Sequence, residues 1–173
     1  MARLFPSALP SASSEGAGVR MSPVDPGEVW SVAPHRGREG AVARALGGWP
    51  EPSRMARSGP GKLVWVGPGR ALLVGREPPA GLPAALVDLS DAHAVLRLEG
   101  PGVRDVLARL VPVDLSERAF PEGGSARTLL NHMTVTLLRV SPRAWEVWGF
   151  RSMAGTMAGE IGHAMRGVAA RAL

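Results

Sequence analysis

The sequence contains no cysteine and no tyrosine, and Lys62 is its single lysine. Without cysteine, the chain cannot form disulfide bonds, thiolate zinc sites or a cysteine nucleophile. No apolar run approaches the roughly 18 residues of a membrane-spanning helix. Pro6 and Pro10 interrupt the amino-terminal stretch, which lacks the apolar region of a secretory signal. We therefore expect a cytoplasmic protein that contacts no membrane.

Few side chains titrate between the histidines and the arginines, so a net charge of +5 is enough to give an isoelectric point of about 11.3. The arginines are spread from Arg3 to Arg171 and form no run of like charges. A nucleic-acid-binding protein usually carries a basic stripe with aromatic residues between the charges. The charge pattern therefore argues against a nucleic-acid partner.

The length of 173 residues and the apolar fraction of 45% predict one domain, or two small halves that share a core. Residues 1–27 are rich in Pro, Ser, Gly and Ala and have no apolar periodicity. We predict that they form a flexible tail in isolation, with an arm that orders against a partner as the alternative. The structured domain is predicted to cover residues 28–173.

Apolar periodicity and turn residues predict the regular elements of this domain. The predicted strands are residues 28–34, 62–66, 71–74, 93–98, a strand after Ser125, a strand around 133–137, and 144–150. The predicted helices are residues 37–46, a helix after Gly100 and Pro101 that ends at Pro112, and a final helix capped by Ser152. Residues 49–61 are predicted as a loop, and residues 78–86 as a loop or short helix.

The order of these elements is β-α-β-β followed by β-α-β-β-β-α, which describes two βαββ-like halves. We therefore predict an α+β fold. Antiparallel strands form its core, and the helices pack on one side of them.

The residues that usually carry catalysis are dispersed along the chain. His35, His93, His132 and His163 lie far apart, and none is paired with another His or a carboxylate at metal-ligand spacing. Residues 123–127 lack the final glycine of a nucleophile elbow. The Gly-Pro-Gly turns open no helix that could bind a phosphate. We therefore predict no catalytic residue and no metal site.

A dense cluster of polar residues lies between two apolar segments and consists of Asp88, Ser90 and Asp91. They either face a ligand or satisfy backbone groups at a turn, which is the common role of Asp and Ser. Arg97 interrupts an apolar strand, and it either points to solvent or pairs with an acidic group of this fold or of a partner. We treat these four residues as a possible interface or structural polar cluster.

Trp145 and Trp148 are three residues apart on a predicted strand, so their side chains face opposite sides of it. If one is buried, the other is expected to be exposed. An exposed tryptophan is a typical anchor for a partner protein.

Several stretches resemble the gamma subunits of heterotetrameric sarcosine oxidase. They are residues 87–92 (VDLSDA), 95–101 (VLRLEGP), 104–107 (RDVL), 112–115 (PVDL) and 118–121 (RAFP). The hairpin that begins at residues 65–68 (WVGP) and the junction at residues 150–152 (FRS) continue the match. The resemblance covers roughly residues 28–170 and is most specific in the middle third.

This resemblance implies a subunit of a complex that oxidatively demethylates sarcosine, and a fold similar to the folate-binding domain of aminomethyltransferases. In that family FAD, FMN, NAD, tetrahydrofolate and zinc are attributed to other subunits, and the gamma chain is chiefly structural. We therefore expect an accessory subunit whose partners are the alpha, beta and delta subunits. The alternative is a folate-binding protein of the aminomethyltransferase type.

The sequence also departs from the family pattern. Gly69, Arg70 and Ala71 stand where the family usually has an acidic pair and a tryptophan, and Val111 stands where it often has a cysteine. The first difference removes polar groups that folate-binding relatives could use, so independent folate binding is not expected. Both differences suggest a divergent member, whose complex acts on sarcosine or a related N-methyl amine.

Overall fold

The computed structural model describes residues 14–171, which form eleven strands and three α-helices. The strands are β1 (Ser14–Gly16), β2 (Val19–Val24), β3 (Val29–Pro34), β4 (Met55–Ser58), β5 (Gly61–Gly67), β6 (Arg70–Val74), β7 (Ala84–Asp88), β8 (His93–Glu99), β9 (Ser125–Leu130), β10 (Met133–Ser141) and β11 (Ala144–Phe150). The helices are α1 (Glu39–Leu46), α2 (Val103–Leu107) and α3 (Ala154–Ala169), and a 3₁₀ helix at Arg151–Met153 leads into α3. Within this range, no helix has the length and apolar character needed to cross a membrane.

The strands form two antiparallel sheets. The six-stranded sheet has the order β1-β2-β8-β11-β10-β9, and the five-stranded sheet has the order β4-β5-β6-β3-β7. Each predicted half of the chain builds one sheet, because β3 to β7 pair among themselves and β8 to β11 do the same. The predicted α+β class with an antiparallel core is therefore confirmed.

The two sheets face each other, and each carries helices on its outer side. Trp145 of the six-stranded sheet and Ile161 of α3 belong to one buried cluster. Val42 of α1 belongs to a second cluster, on the outer side of the five-stranded sheet. Val95 and Leu138 belong to a third, between the sheets. Each sheet has helices on one side only, as predicted, but the complete fold has helices on two opposite sides.

Strand β11 is buried on both of its faces. Trp145 points toward the helices and contacts Phe120, with 4.9 Å between ring centroids, while Trp148 points toward the five-stranded sheet. The two side chains do face opposite sides, as predicted. The expectation that one of them is exposed is wrong, because their residues are only 0% and 3% exposed. The second sheet covers the face that the sequence analysis left open.

The predicted apolar faces of the helices are confirmed. Val103, Val106 and Leu107 of α2 are buried, and so are Met157 and Ile161 of α3. Helix α1 ends at Gly47, whose φ of 78° lies in the left-handed region that glycine adopts without steric cost.

Two helix boundaries differ from the prediction. Helix α2 ends at Leu107 rather than near Pro112, because the N–H groups of Arg109 and Leu110 bond to carbonyls three residues back and tighten the last turn. Ser152 does not cap α3, since it lies inside the 3₁₀ helix and Met153 occupies the cap position without a side-chain hydrogen bond.

Strands β4 and β7 lie in segments where the sequence analysis predicted no strand. Strand β4 falls within the predicted loop at 49–61, and most of β7 falls within the segment 78–86 that was predicted as a loop or short helix. Both are edge strands, since β4 pairs only with β5 and β7 only with β3. Prolines beside both segments mask the short strand patterns.

The amino-terminal prediction is wrong for residues 14–24. Strand β2 pairs with β8, and Val19 and Met21 are buried in the main core. The turn of this segment packs closely against Gly100, where a Cβ atom would collide with the carbonyl of Gly18. Val19, Met21 and Val24 place apolar side chains on a strand, a weak pattern that the surrounding Gly, Ser and Pro obscured. Residues 1–13 of the predicted tail lie outside the described residues.

Replacing Val19 by Asp should reduce the free energy of unfolding by about 3 kcal/mol or more, because it places an unpaired charge in the core. Val19→Ala should cost about 1–3 kcal/mol, the usual effect of a small cavity. The exposed control Arg57→Asp should change stability by no more than about 0.5 kcal/mol. Urea denaturation measures all three. Equal stability of Val19→Asp and the wild type would show that β2 is dispensable.

Candidate functional site

Two of the predicted polar residues hold the turn between β7 and β8. The Asp88 carboxylate accepts hydrogen bonds from the backbone N–H and the hydroxyl group of Ser90, at 2.9 and 2.7 Å. The Ser90 hydroxyl oxygen accepts a hydrogen bond from the N–H of Val29 at 3.0 Å. The bonds from Ser90 lower the pKa of Asp88, because they stabilise its ionised form. In this geometry Asp88 and Ser90 satisfy backbone groups at the turn.

The other two predicted residues make ion pairs inside the fold. Asp91 Oδ1 lies 3.2 Å from Nη1 of Arg151. Arg97 Nε lies 3.0 Å from Oε1 of Glu99, and Arg97 Nη1 lies 4.0 Å from Oε1 of Glu146. Within residues 14–171, no hydrogen bond or ion pair connects Arg97 to the Asp88 turn. The four residues therefore do not form one site.

Glu146 is a buried carboxylate that the sequence analysis missed. Its side chain is 7% exposed, and Oε2 accepts hydrogen bonds from Lys62 Nζ and Trp148 Nε1, each at 3.0 Å. Lys62 Nζ also lies 5.7 Å from the centroid of the Trp148 ring. Because Lys62 is on β5 and Glu146 on β11, the pair connects the two sheets. A lone carboxylate in the apolar strand 144–150 was the signal that could have revealed it.

Arg139 is a second buried charge that the sequence analysis missed. Its side chain is 3% exposed, and its guanidinium group donates to the carbonyl oxygen of Phe120 at 2.9 Å and to Oε1 of Glu117 at 3.0 Å. It also lies 5.7 Å from the centroid of the Trp145 ring. These contacts fasten the long loop before β9 to the sheet, so Arg139 has a structural role.

A cleft of about 210 Å³ opens between the two sheets, where β11 ends and β8 begins. Arg70 at the start of β6 and Arg127 on β9 lie in its wall. His93, Trp148 and Phe150 form an aromatic wall, with 5.9 Å between the His93 and Trp148 centroids and 6.4 Å between those of His93 and Phe150. Among the described residues that line this inter-sheet cleft, none is Asp or Glu.

His93 is partly buried in the inter-sheet cleft. Burial lowers the pKa of His93, because the charged imidazolium loses its hydration, and the Leu89 backbone opposes this shift. Its Nδ1 atom is buried and has no hydrogen-bond partner among residues 14–171. The ring is therefore neutral at neutral pH and contributes an aromatic face to the cleft rather than a charge.

The inter-sheet cleft has a basic and aromatic lining. Within residues 14–171, no group of three or more His, Asp or Glu could hold a metal ion. The inter-sheet cleft combines two guanidinium groups with aromatic rings and lacks a carboxylate that could act as a base. Such a surface is suited to binding an anionic group beside an apolar one.

No family model matches this sequence. Three curated relatives named sarcosine oxidase subunit gamma match part of it, with identities of 34% over 95 residues in Corynebacterium sp. (strain U-96), 33% over 120 residues in Arthrobacter sp., and 35% over 129 residues in Corynebacterium sp. (strain P-1). These matches cover 49%, 62% and 67% of this chain. The chain spans 46%, 59% and 64% of the length of these relatives.

Solved structures extend the likeness. A chain of heterotetrameric sarcosine oxidase from Corynebacterium sp. U-96, in complex with pyrrole 2-carboxylate, is 25% identical and has a TM-score of 0.81, covering 94% of this chain and 95% of that one. Aminomethyltransferase T of the glycine cleavage system from Bartonella henselae is 14% identical and has a TM-score of 0.57, covering 87% of this chain and 53% of that one. The second likeness concerns the fold alone. Both predicted resemblances are confirmed.

Replacing Glu146 by Ala should lower the free energy of unfolding by about 2–4 kcal/mol, because the buried Trp148 N–H loses its acceptor and Lys62 its counter-ion. Glu146→Gln retains an acceptor oxygen and should cost less. The exposed control Glu99→Gln should cost no more than about 0.5 kcal/mol. Urea denaturation compares the three variants. Equal losses for the Ala and Gln variants would contradict the importance of the Trp148 hydrogen bond.

The lowered pKa of His93 predicts a loss of stability in mild acid. Below the ordinary pKa of 6.5 the unfolded chain binds a proton that the folded chain binds only at lower pH, so stability falls as pH falls through this window. His93→Gln and His93→Phe should flatten the pH dependence of the melting temperature between about pH 7 and about pH 5. An unchanged slope in both variants would show that His93 does not cause it.

Proposed function

Because this chain is a relative of the sarcosine oxidase gamma subunits, we propose that it is an accessory subunit of a heterotetrameric, flavin-dependent oxidase. The complex demethylates sarcosine or a related N-methyl amino acid. The alpha, beta and delta subunits are its partners, and they bind FAD, FMN, NAD, tetrahydrofolate and zinc. Its location in the cytoplasm stays a prediction from the sequence.

One observation carries this proposal. The likeness to a chain of heterotetrameric sarcosine oxidase covers 94% of this chain and 95% of that chain, with a TM-score of 0.81. A match over nearly the full length of both chains is what a subunit in the corresponding position would give. The partial matches to curated gamma subunits support the same assignment from the sequence.

The hydrogen bonds of the buried charged residues support a non-catalytic role for this chain. Glu146 and Arg139, the most buried charges, form the hydrogen bonds of their side chains with residues of the same chain. A catalytic acid or base needs access to a substrate and a geometry that leaves one side free. These two groups bind neighbouring elements together instead, so the proposal assigns the chain a function through its surface.

Co-expression with the alpha, beta and delta subunits tests the proposal. The chain should co-purify in stoichiometric amount with a flavin-containing complex that produces peroxide from sarcosine or another N-methyl amino acid. Purified alone, it should show no flavin absorbance and no oxidase activity. Sarcosine-dependent peroxide production by the isolated chain would contradict the proposal, and so would an active complex that forms without it.

Calorimetric titration with tetrahydrofolate tests the alternative function, a folate-binding protein of the aminomethyltransferase type. The isolated chain should give no heat of binding, because Gly69, Arg70 and Ala71 provide no carboxylate beside the hairpin. Micromolar binding by the isolated chain would favour the alternative.

A further inference from the structure

The inner face of the six-stranded sheet continues beyond the area that the five-stranded sheet covers. Residues two apart on a strand face the same side, so Phe150 shares the face of Trp148 on β11, and Leu129 shares that of Arg127 on β9. Arg127 and Trp148 are both opposite Thr136 of β10, which places all of them on this inner face. Trp148 is 3% exposed, whereas Phe150 is 52% exposed and Leu129 44%. The inter-sheet cleft therefore has an uncovered apolar rim.

Arg70 and Arg127 give this surface a positive charge. Both are exposed, and neither has an ion-pair partner within residues 14–171. The arginines that do form ion pairs, such as Arg139 with Glu117, pair with carboxylates of the same chain. No described Asp or Glu lines the cleft. Two guanidinium groups on opposite walls are thus available for a carboxylate from outside the fold.

We propose that the inter-sheet cleft and its rim bind an acidic segment of a larger subunit of the same complex. A carboxylate of that segment lies between Arg70 and Arg127, and an adjoining apolar side chain packs on Phe150 and Leu129. This proposal rests on the proposed function, because it names the surface through which the accessory subunit is held.

The composition of the surface favours a protein partner over a small anion. Arginine and aromatic residues are enriched at protein interfaces, and residues at the centre of such contacts carry most of the binding energy. A small anion would use the two arginines but would leave Phe150 and Leu129 in water. A segment with a carboxylate next to an apolar side chain covers both parts of the surface at once.

Site-specific photo-cross-linking in the assembled complex tests the contact. Benzoylphenylalanine in place of Phe150 or of Leu129 should cross-link to one peptide of a larger subunit, and that peptide should contain Asp or Glu. The same amino acid in place of the exposed Arg36, which does not line the cleft, should not cross-link to that peptide. Mass spectrometry identifies the products. Cross-links to a second copy of this chain, or none in an assembled complex, would overturn the proposal.

Charge reversal tests the role of the arginines. The double variant Arg70→Glu/Arg127→Glu should weaken binding to the other subunits by at least about tenfold. The matched control Arg36→Glu/Arg57→Glu makes the same change of charge outside the cleft and should bind like the wild type. Since all four side chains are exposed, the melting temperatures of the isolated variants should match that of the wild type. Reversing the partner's acidic residue to Lys should restore binding of the first variant only.

The outcomes separate the two proposals. If the wild type assembles with the other subunits but the Arg70→Glu/Arg127→Glu variant assembles equally well, this surface is not the interface and the proposed function stands. If the wild type forms no complex, both proposals fail. If acetate or phosphate weakens assembly of the wild type no more than chloride does at equal ionic strength, the cleft is not a small-anion site, as the proposal expects.

Discussion

The packing of the two sheets against each other determines which side chains of this protein are buried and which remain exposed. Leu138, Trp148 and Val95 of one sheet meet Leu72 and Val64 of the other, and the helices cover the outer faces. The central strands are therefore buried on both sides. A charged residue in such a strand has no access to water and must find its partners inside the fold. Lys62 meets this requirement for Glu146 from across the sheet interface.

This constraint also explains why the buried charges bond to other parts of the fold. Buried charges such as Glu146 and Arg139 form their hydrogen bonds with other elements of the fold, so their removal affects stability first. Exposed side chains that could contact another molecule then lie where the two sheets do not fully overlap. The inter-sheet cleft is such a place, because the six-stranded sheet extends past the five-stranded sheet and leaves Phe150 and Arg127 exposed.

The features that were predicted correctly are encoded locally. The hairpin of β5 and β6 and the helices α2 and α3 each depend on residues that lie close together in the sequence. The features that were missed depend on pairing between distant segments. The apolar pattern of β2 is weak, and the strand forms because β8 pairs with it. Trp148 is buried because the second sheet packs against it.

The candidate site divides in the same way. Asp88 and Ser90 bond to each other two residues apart, so a turn role could be foreseen, whereas the contact of Ser90 with Val29 could not. Glu146 was missed although it is the one carboxylate in the apolar strand 144–150, and its partner on β5 lies far away in the sequence. Arg70 and Arg127 meet at one cleft only after the two sheets have packed, and no local pattern connects them.

The place of β2 has a consequence for synthesis on the ribosome. This strand emerges before β3, but β8, its neighbour in the sheet, follows only after the whole five-stranded unit of β3 to β7 has been made. The five-stranded unit can pair internally as it leaves the tunnel, whereas β2 has only the short strand β1 as a partner until β8 emerges. Closure over such a long loop is slow compared with hairpin formation. The nascent chain therefore exposes the apolar residues Val19 and Met21 until β8 has been made, and exposed apolar surface of this kind promotes aggregation during folding.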